Sequence, residues 1–152
     1  MFEINTLNSR PSYDPMMVLP MREEVTRLGI KELHTPAEVD EELKSKGTVL
    51  VFVNSVCGCA AGSARPGLAL AMQHGTLPDK VVSVFAGMEK DAVMQARSFF
   101  TGYAPSSPQF ALLRDGQIIA MLERWQIERQ HPQTIAAALI QMFNTHCVKE
   151  KA

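Results

Sequence analysis

Two cysteines one residue apart, Cys57 and Cys59, are the residues of this chain best suited to covalent chemistry. They stand in Val-Asn-Ser-Val-Cys-Gly-Cys-Ala-Ala-Gly (53–62), directly after the apolar run that begins at Thr48. The thiolate is the nucleophilic and metal-ligating form of cysteine, so the pair points to thiol-disulfide exchange or to a soft metal such as Cu or Zn. The β-branched and aromatic residues from Thr48 to Val53 have the composition of a strand buried on both faces. Asn54 and Ser55 end that run, and Ala60, Ala61 and Ala64 restart the chain as a helix, so Cys57 falls at or just before a helix N-terminus. Unpaired amides and the positive end of the helix dipole stabilise a thiolate there. Side chains two residues apart on a helix project about 200° from one another, so a Cys57–Cys59 disulfide requires a distorted first turn. Gly58 makes such a turn easier, and strain makes a disulfide easier to reduce.

A structural zinc needs four ligands, and no second Cys or His pair stands at suitable spacing. No metal and no cofactor are expected, and a soft-metal carrier is the rival reading. Cys147, near the end of the chain, reads as a buried thiol packing as a small hydrophobe. His34, His74 and His131 fall at element edges and read as solvated. Arg65 and Arg124 could steer an anionic small thiol, although a solvated arginine is the simpler reading of each. Trp125 reads as a packing residue, and Tyr103 as lining a cleft or packing in the core.

The elements that must position the cysteines follow from pattern. Residues 1–14 carry few apolar positions and read as an N-terminal arm, leaving 15–152 as one domain. Asp14-Pro15 starts a helix over 16–28 that Pro20 should kink or shorten, with Gly29 at its end. Residues 30–33 form a short strand, and Thr35-Pro36-Ala37-Glu38 opens a second helix with a capping box. The buried strand and the cysteine helix follow, the latter to about residue 73 with a kink at Pro66. A strand over 81–86, a helix over 89–100, and a Pro/Ser loop lead to strand 109–113. Asp115-Gly116 is a tight-turn dipeptide that returns the chain as strand 117–122, and Pro132 opens the last helix. Two βα crossovers demand a parallel sheet centre, and the hairpin adds an antiparallel edge. The result is an α/β fold, a thioredoxin-like three-layer sandwich with a mixed central sheet and helices on both faces.

Among 152 residues, 15 are basic and 16 acidic, mixed along the chain, so no basic patch argues for nucleic acid. No run reaches the roughly 18 to 20 apolar residues of a membrane span, and Glu3 and Arg10 stand where a signal peptide would be apolar. Three cysteines do not resemble a secreted disulfide framework. A cytoplasmic protein without nucleic-acid or membrane partners is expected, with the apolar first helix offering a homodimer contact.

Residues 53–62, Ala-Arg-Pro (64–66), Val-Phe-Ala-Gly (84–87) and Phe-Thr-Gly-Tyr-Ala-Pro-Ser-Ser-Pro (100–108) resemble the bacilliredoxin family. That resemblance covers about 20–147 and implies a redoxin that removes bacillithiol, or another small thiol, from mixed disulfides on S-thiolated cytoplasmic proteins. It implies Cys57 and Cys59 as the redox pair, with Asn54 and Gly58 supporting the motif. Cys57, nearer the helix terminus, is expected to attack and Cys59 to resolve. Ser107-Pro108 has two readings, an ordinary trans turn or a cis-proline facing the cysteines, and the fold favours the second. There the backbone of Ser107 would pair with an extended substrate. Thioredoxins place a buried acid six residues before the nucleophile and Trp immediately before it, where this chain has Val51 and Val56. Weak disulfide isomerase or reductase activity is therefore the neighbouring alternative.

Overall fold

The computed structural model describes residues 10–148, so positions 1–9 of the expected arm lie outside the described residues. Five strands form one mixed sheet in the order β1-β3-β2-β4-β5. They are β1 (Lys31–Glu32), β2 (Thr48–Asn54), β3 (Lys80–Phe85), β4 (Gln109–Arg114) and β5 (Gln117–Leu122). β2 runs parallel to β3 and antiparallel to β4, and β4 and β5 form the hairpin. Asp115 and Gly116 both adopt positive φ, 51° and 80°, as a two-residue turn matched to strand twist requires.

Every residue of β2 is buried, which a strand central to a two-faced sheet demands. Its alternation divides the core. Leu50 and Phe52 face one layer with Leu68, Phe110, Leu139 and Phe143, while Val49, Val51 and Val53 face the other with Val39, Leu43, Val93 and Ala96. Phe52 and Phe110, directly paired across the ladder, stack with ring centroids 4.6 Å apart. Helices therefore cover both faces: α1 (Pro15–Thr26), α3 (Arg65–Ala71) and α6 (Pro132–His146) contribute to the first layer, α2 (Pro36–Leu43) and α4 (Lys90–Arg97) to the second. A short helix, α5 (Arg124–Ile127), joins β5 to α6. The α/β sandwich expected from the sequence is the fold observed.

Local departures have local causes. α1 runs from Pro15 without stopping at Pro20, capped by Asp14 Oδ1 accepting from Met16 N at 2.9 Å. The carbonyl that Pro20 leaves without a donor belongs to Met16, in the exposed first turn, where water can replace it. α4 ends at Arg97, three residues earlier than expected. Ser98 Oγ donates back to the Gln95 carbonyl at 2.6 Å, and the chain leaves in short turns ending at Gly102, φ 90°. At the start of the chain, Ser12 N donates to the Gly87 carbonyl at 2.6 Å, and the Tyr13 ring lies over Gly87.

Gly67 sets the approach of α3 to α6. A Cβ at this position would stand 2.6 Å from Ile135 Cβ and 2.7 Å from its Cγ2, well inside carbon contact distance. Gly67→Ala should therefore lower stability by up to about 2 kcal/mol, the difference between an overpacking cost of about 1–3 kcal/mol and the roughly 1 kcal/mol that alanine gains in helix propensity. Thermal or urea unfolding reads the difference directly.

Candidate redox site

β2 ends at Asn54, and the backbone must turn from strand to helix within three residues. Asn54 controls this turn. Fully buried, it donates from Nδ2 to the Met21 carbonyl at 3.1 Å and accepts at Oδ1 from Ser55 N at 2.9 Å. Ser55 Oγ then accepts from Cys57 N at 3.0 Å. The Cys57 carbonyl receives Ala60 N at 3.0 Å and Ala61 N at 3.2 Å, the first bonds of the helical segment. Cys57 Sγ accepts from Cys59 N at 3.4 Å, so the sulfur itself stands where a capping side chain stands. Gly58 is exposed and has open space where a Cβ would be.

This arrangement changes the expected relation of the two thiols. Cys57 flanks the helix instead of lying in it, so the 200° divergence does not arise, and the Cys59 thiol hydrogen-bonds the Cys57 sulfur. Both cysteines are half-buried. Partial burial pushes the Cys57 thiol up, but the Cys59 thiol and N–H, the Arg124 cation and the Ala60 N–H outweigh it and hold Cys57 below the ordinary thiol range. Cys59 moves the other way, to about 11, through burial and through donating to, and lying beside, the Cys57 sulfur. One thiol is poised as a nucleophile while its neighbour keeps its proton. The groups acting on Cys59 include no carboxylate, and Val51, where thioredoxins carry their acid, is buried in the apolar core.

The sign of each shift makes a pH prediction. A lowered thiol pKa leaves Cys57 more ionised at pH 7 than a free cysteine, whose pKa is about 8.5. Alkylation of Cys57 should reach half its maximal rate below that pH, and Cys59 should react only as pH approaches about 11. Arg124→Gln removes a cation and should move the Cys57 midpoint upward. Peptide mapping after timed iodoacetamide labelling separates the two sites.

The helix after the cysteines opens with a π turn, Ala60–Ala64, in which Arg65 N reaches the Ala60 carbonyl. Where a kink at Pro66 was expected, the chain widens by one residue instead. Pro66 has no N–H, and its ring crowds the carbonyl four residues back, so a wider turn just before it relieves both demands. The π turn is tied to the chain beyond α5 by Ser63 Oγ donating to the Gln130 carbonyl.

Arg65 is not the solvated residue expected. Only 3% exposed, it donates from Nε to Glu24 Oε2 at 2.8 Å and from Nη1 to the Ser55 carbonyl at 2.8 Å and Asn54 Oδ1 at 3.1 Å. The sequence did hold a signal: at helical spacing Arg65 shares a face with Leu68 and Met72. Arg124 remains half-exposed, but α5 brings its charge to the thiols, and its Nη1 lies 3.4 Å from the Ser107 carbonyl. Ser107-Pro108 is the cis bond of the chain's described residues. Trp125 does not pack in the core; it is 68% exposed, with Nε1 donating to Glu123 Oε2. Tyr103 is also exposed, and Cys147 is buried, which pushes its thiol up. Neither motif cysteine belongs to a group of three metal-capable side chains among the described residues.

A family profile described as disulphide isomerase matches residues 13–147. A bacilliredoxin of Halalkalibacterium halodurans is 52% identical over 126 residues, covering 83% of this chain and 87% of that protein. One of Koribacter versatilis is 47% identical over 136 residues, covering 89% and 94%. The thioredoxin of Malassezia sympodialis superposes with a TM-score of 0.56 at 13% identity, over 78% of this chain and 91% of that one, a likeness of fold alone. No helix among the described residues is long and apolar enough to cross a membrane. The chain thus belongs to the bacilliredoxin family, a thiol-disulfide oxidoreductase built on the thioredoxin fold.

Proposed function

We propose that the protein removes bacillithiol from mixed disulfides on cytoplasmic proteins through its Cys-Gly-Cys pair. The observation that carries this reading is the capping position of Cys57, half-exposed with its thiol lowered and a protonated Cys59 beside it. The Cys57 thiolate attacks the small-thiol sulfur, and the protein cysteine leaves as a thiolate and takes a proton from solvent. The cap is now disulfide-bonded to Cys57. Cys59 then loses its proton and attacks Cys57 Sγ, expelling the small thiol and leaving a Cys57–Cys59 disulfide. The two electrons gained by the capped protein have come from this pair, so a thiol reductant must restore it.

Ser107 and Pro108 are assigned to the incoming substrate, whose extended backbone would pair beside them, while Asn54 and Gly58 shape the turn that presents Cys57. Residues 15–152 are read as the domain that carries out the reaction, with 1–14 as an arm. Exposed Met16, Met17 and Leu19 on α1 offer the surface for a homodimer.

Incubating the reduced protein with a bacillithiol-capped protein tests the assignment. Release of the cap, with an adduct of matching mass on Cys57, is expected. An unchanged cap, together with reshuffling of a scrambled disulfide protein, would replace this reading with a disulfide isomerase.

A further inference from the structure

A groove of about 430 Å³ lies between α4 and the loop that leads to Pro108, lined by Gly87, Lys90, Val93, Met94, Arg97 and Pro105. Both of its walls end near the redox site. Gly87 follows β3, whose Phe85 pairs with Asn54, and Pro105 stands two residues before Ser107. Its floor is apolar, and Met94 is 70% exposed although large and unbranched.

The groove's charge is unbalanced. Arg97 is half-buried, and burial lowers its pKa with no compensating anion. Its Nη2 donates to the Ser106 carbonyl at 3.0 Å, but its Nε is buried without a hydrogen-bond partner, as is Ser106 Oγ. Neither Arg97 nor Lys90 has an ion-pair partner among the described residues. Elsewhere the buried or half-buried arginines are paired: Arg22 with Glu32 and Glu89, Arg65 with Glu24. A desolvated cation without a counter-charge is costly, and a visiting carboxylate would relieve that cost.

We propose that this groove binds the segment flanking the capped cysteine of a substrate protein, pairing an Asp or Glu of that segment with Arg97 and Lys90 and seating an apolar neighbour against Val93, Met94 and Pro105. The inference rests on the exchange reaction proposed above and adds a preference among its protein substrates. An extended segment lying along the 103–108 loop supplies both the apolar contact and the negative charge that the groove lacks.

The test uses cysteine peptides capped with 2-mercaptoethanol, an uncharged cap, with one glutamate moved along either flank and glutamine as the control at each place. At one register, exchange with Cys57 should be about five- to tenfold faster for glutamate than for glutamine. Arg97→Gln should bring that ratio close to one, while exchange with bis(2-hydroxyethyl) disulfide stays unchanged. Because Arg97 also holds the Ser106 carbonyl, variants at half-buried Lys90 and exposed Met94 stand beside it. Lys90→Gln should reduce the ratio, and Met94→Glu, which supplies a carboxylate of the protein's own, should abolish it. Equal rates at every register, or a glutamate preference that survives in both Lys90→Gln and Met94→Glu, would overturn the proposal. So would a gain from a carboxylate on the cap itself that Arg97→Gln removes, since the cap would then occupy the groove. A glutamate preference in a protein that leaves bacillithiol caps in place would support the groove while removing the small-thiol assignment.

Discussion

Replacing Cys57 with serine should abolish disulfide exchange, lowering the second-order rate by on the order of a thousandfold or more, while replacing Cys59 with serine should leave the first capture intact. The asymmetry follows from the opposite shifts of the two thiols. Cys57 carries the lowered pKa, and its sulfur accepts hydrogen bonds from the Cys59 thiol and N–H. A serine hydroxyl at that place is not ionised near neutral pH and cannot attack sulfur usefully. Cys59, held protonated to about 11, is a poor nucleophile until its neighbour's negative charge is consumed in the first exchange. Once Cys57 is in a mixed disulfide, its sulfur no longer bears the charge that raised Cys59, and the second thiol is freer to ionise. Cys59→Ser should consequently accumulate a capped Cys57, visible by intact mass after incubation with a mixed disulfide. An adduct retained in Cys57→Ala and missing from Cys59→Ala would reverse the two roles.

The same geometry separates what local pattern reveals from what it conceals. β2 was legible because the β-branched and apolar run from Thr48 to Val53 has almost no polar interruption, and the hairpin because Asp115-Gly116 admits the positive φ that its turn needs. Cys57 could be placed at a helix mouth because Asn54 and Ser55 break a strand and alanines start a helix. Its sulfur serving as the cap was not legible, since that depends on where Ser55 Oγ and the Cys59 amide come to lie. α5 was missed altogether. Its four residues are too few to show a period, and its capping box is an uncommon Glu123/Gln126 pair, so Arg124 could not be placed beside the thiols from spacing. Trp125 misled in the other direction, because size and hydrophobicity predict burial only when a neighbouring element has room to cover the ring. In each case the hidden quantity was where a side chain comes to lie against its surroundings, which helix and strand periods do not encode.

For Arg65, helical spacing signals burial but not the partners Glu24 and Ser55, and breaking that network should be the most damaging single change outside the cysteines. Arg65→Met keeps the aliphatic stem and removes the guanidinium, leaving Glu24, the Ser55 carbonyl and one bond to Asn54 Oδ1 without their donor. Removing one partner of a buried pair costs about 3–5 kcal/mol, and since Glu24 is about one-third exposed and can recover some hydration, the low end applies, about 3 kcal/mol. For a chain of this length that is a fall in melting temperature of roughly 6–12 °C. Glu24→Gln leaves a neutral acceptor in place and should cost less, about 1 kcal/mol. Arg65→Lys keeps the charge but cannot reach Glu24 and Ser55 in two directions at once, so it should fall between them. The comparison also reaches the chemistry, because Ser55 accepts from Cys57 N and is itself held by Arg65 and Asn54. Arg65→Met should broaden the alkylation profile of Cys57 and move its midpoint toward that of a free thiol, measured below the melting transition. Full stability in Arg65→Met would mean that desolvating the guanidinium costs as much as its bonds return. An unmoved Cys57 midpoint in a destabilised variant would confine Arg65 to holding α3 against α1.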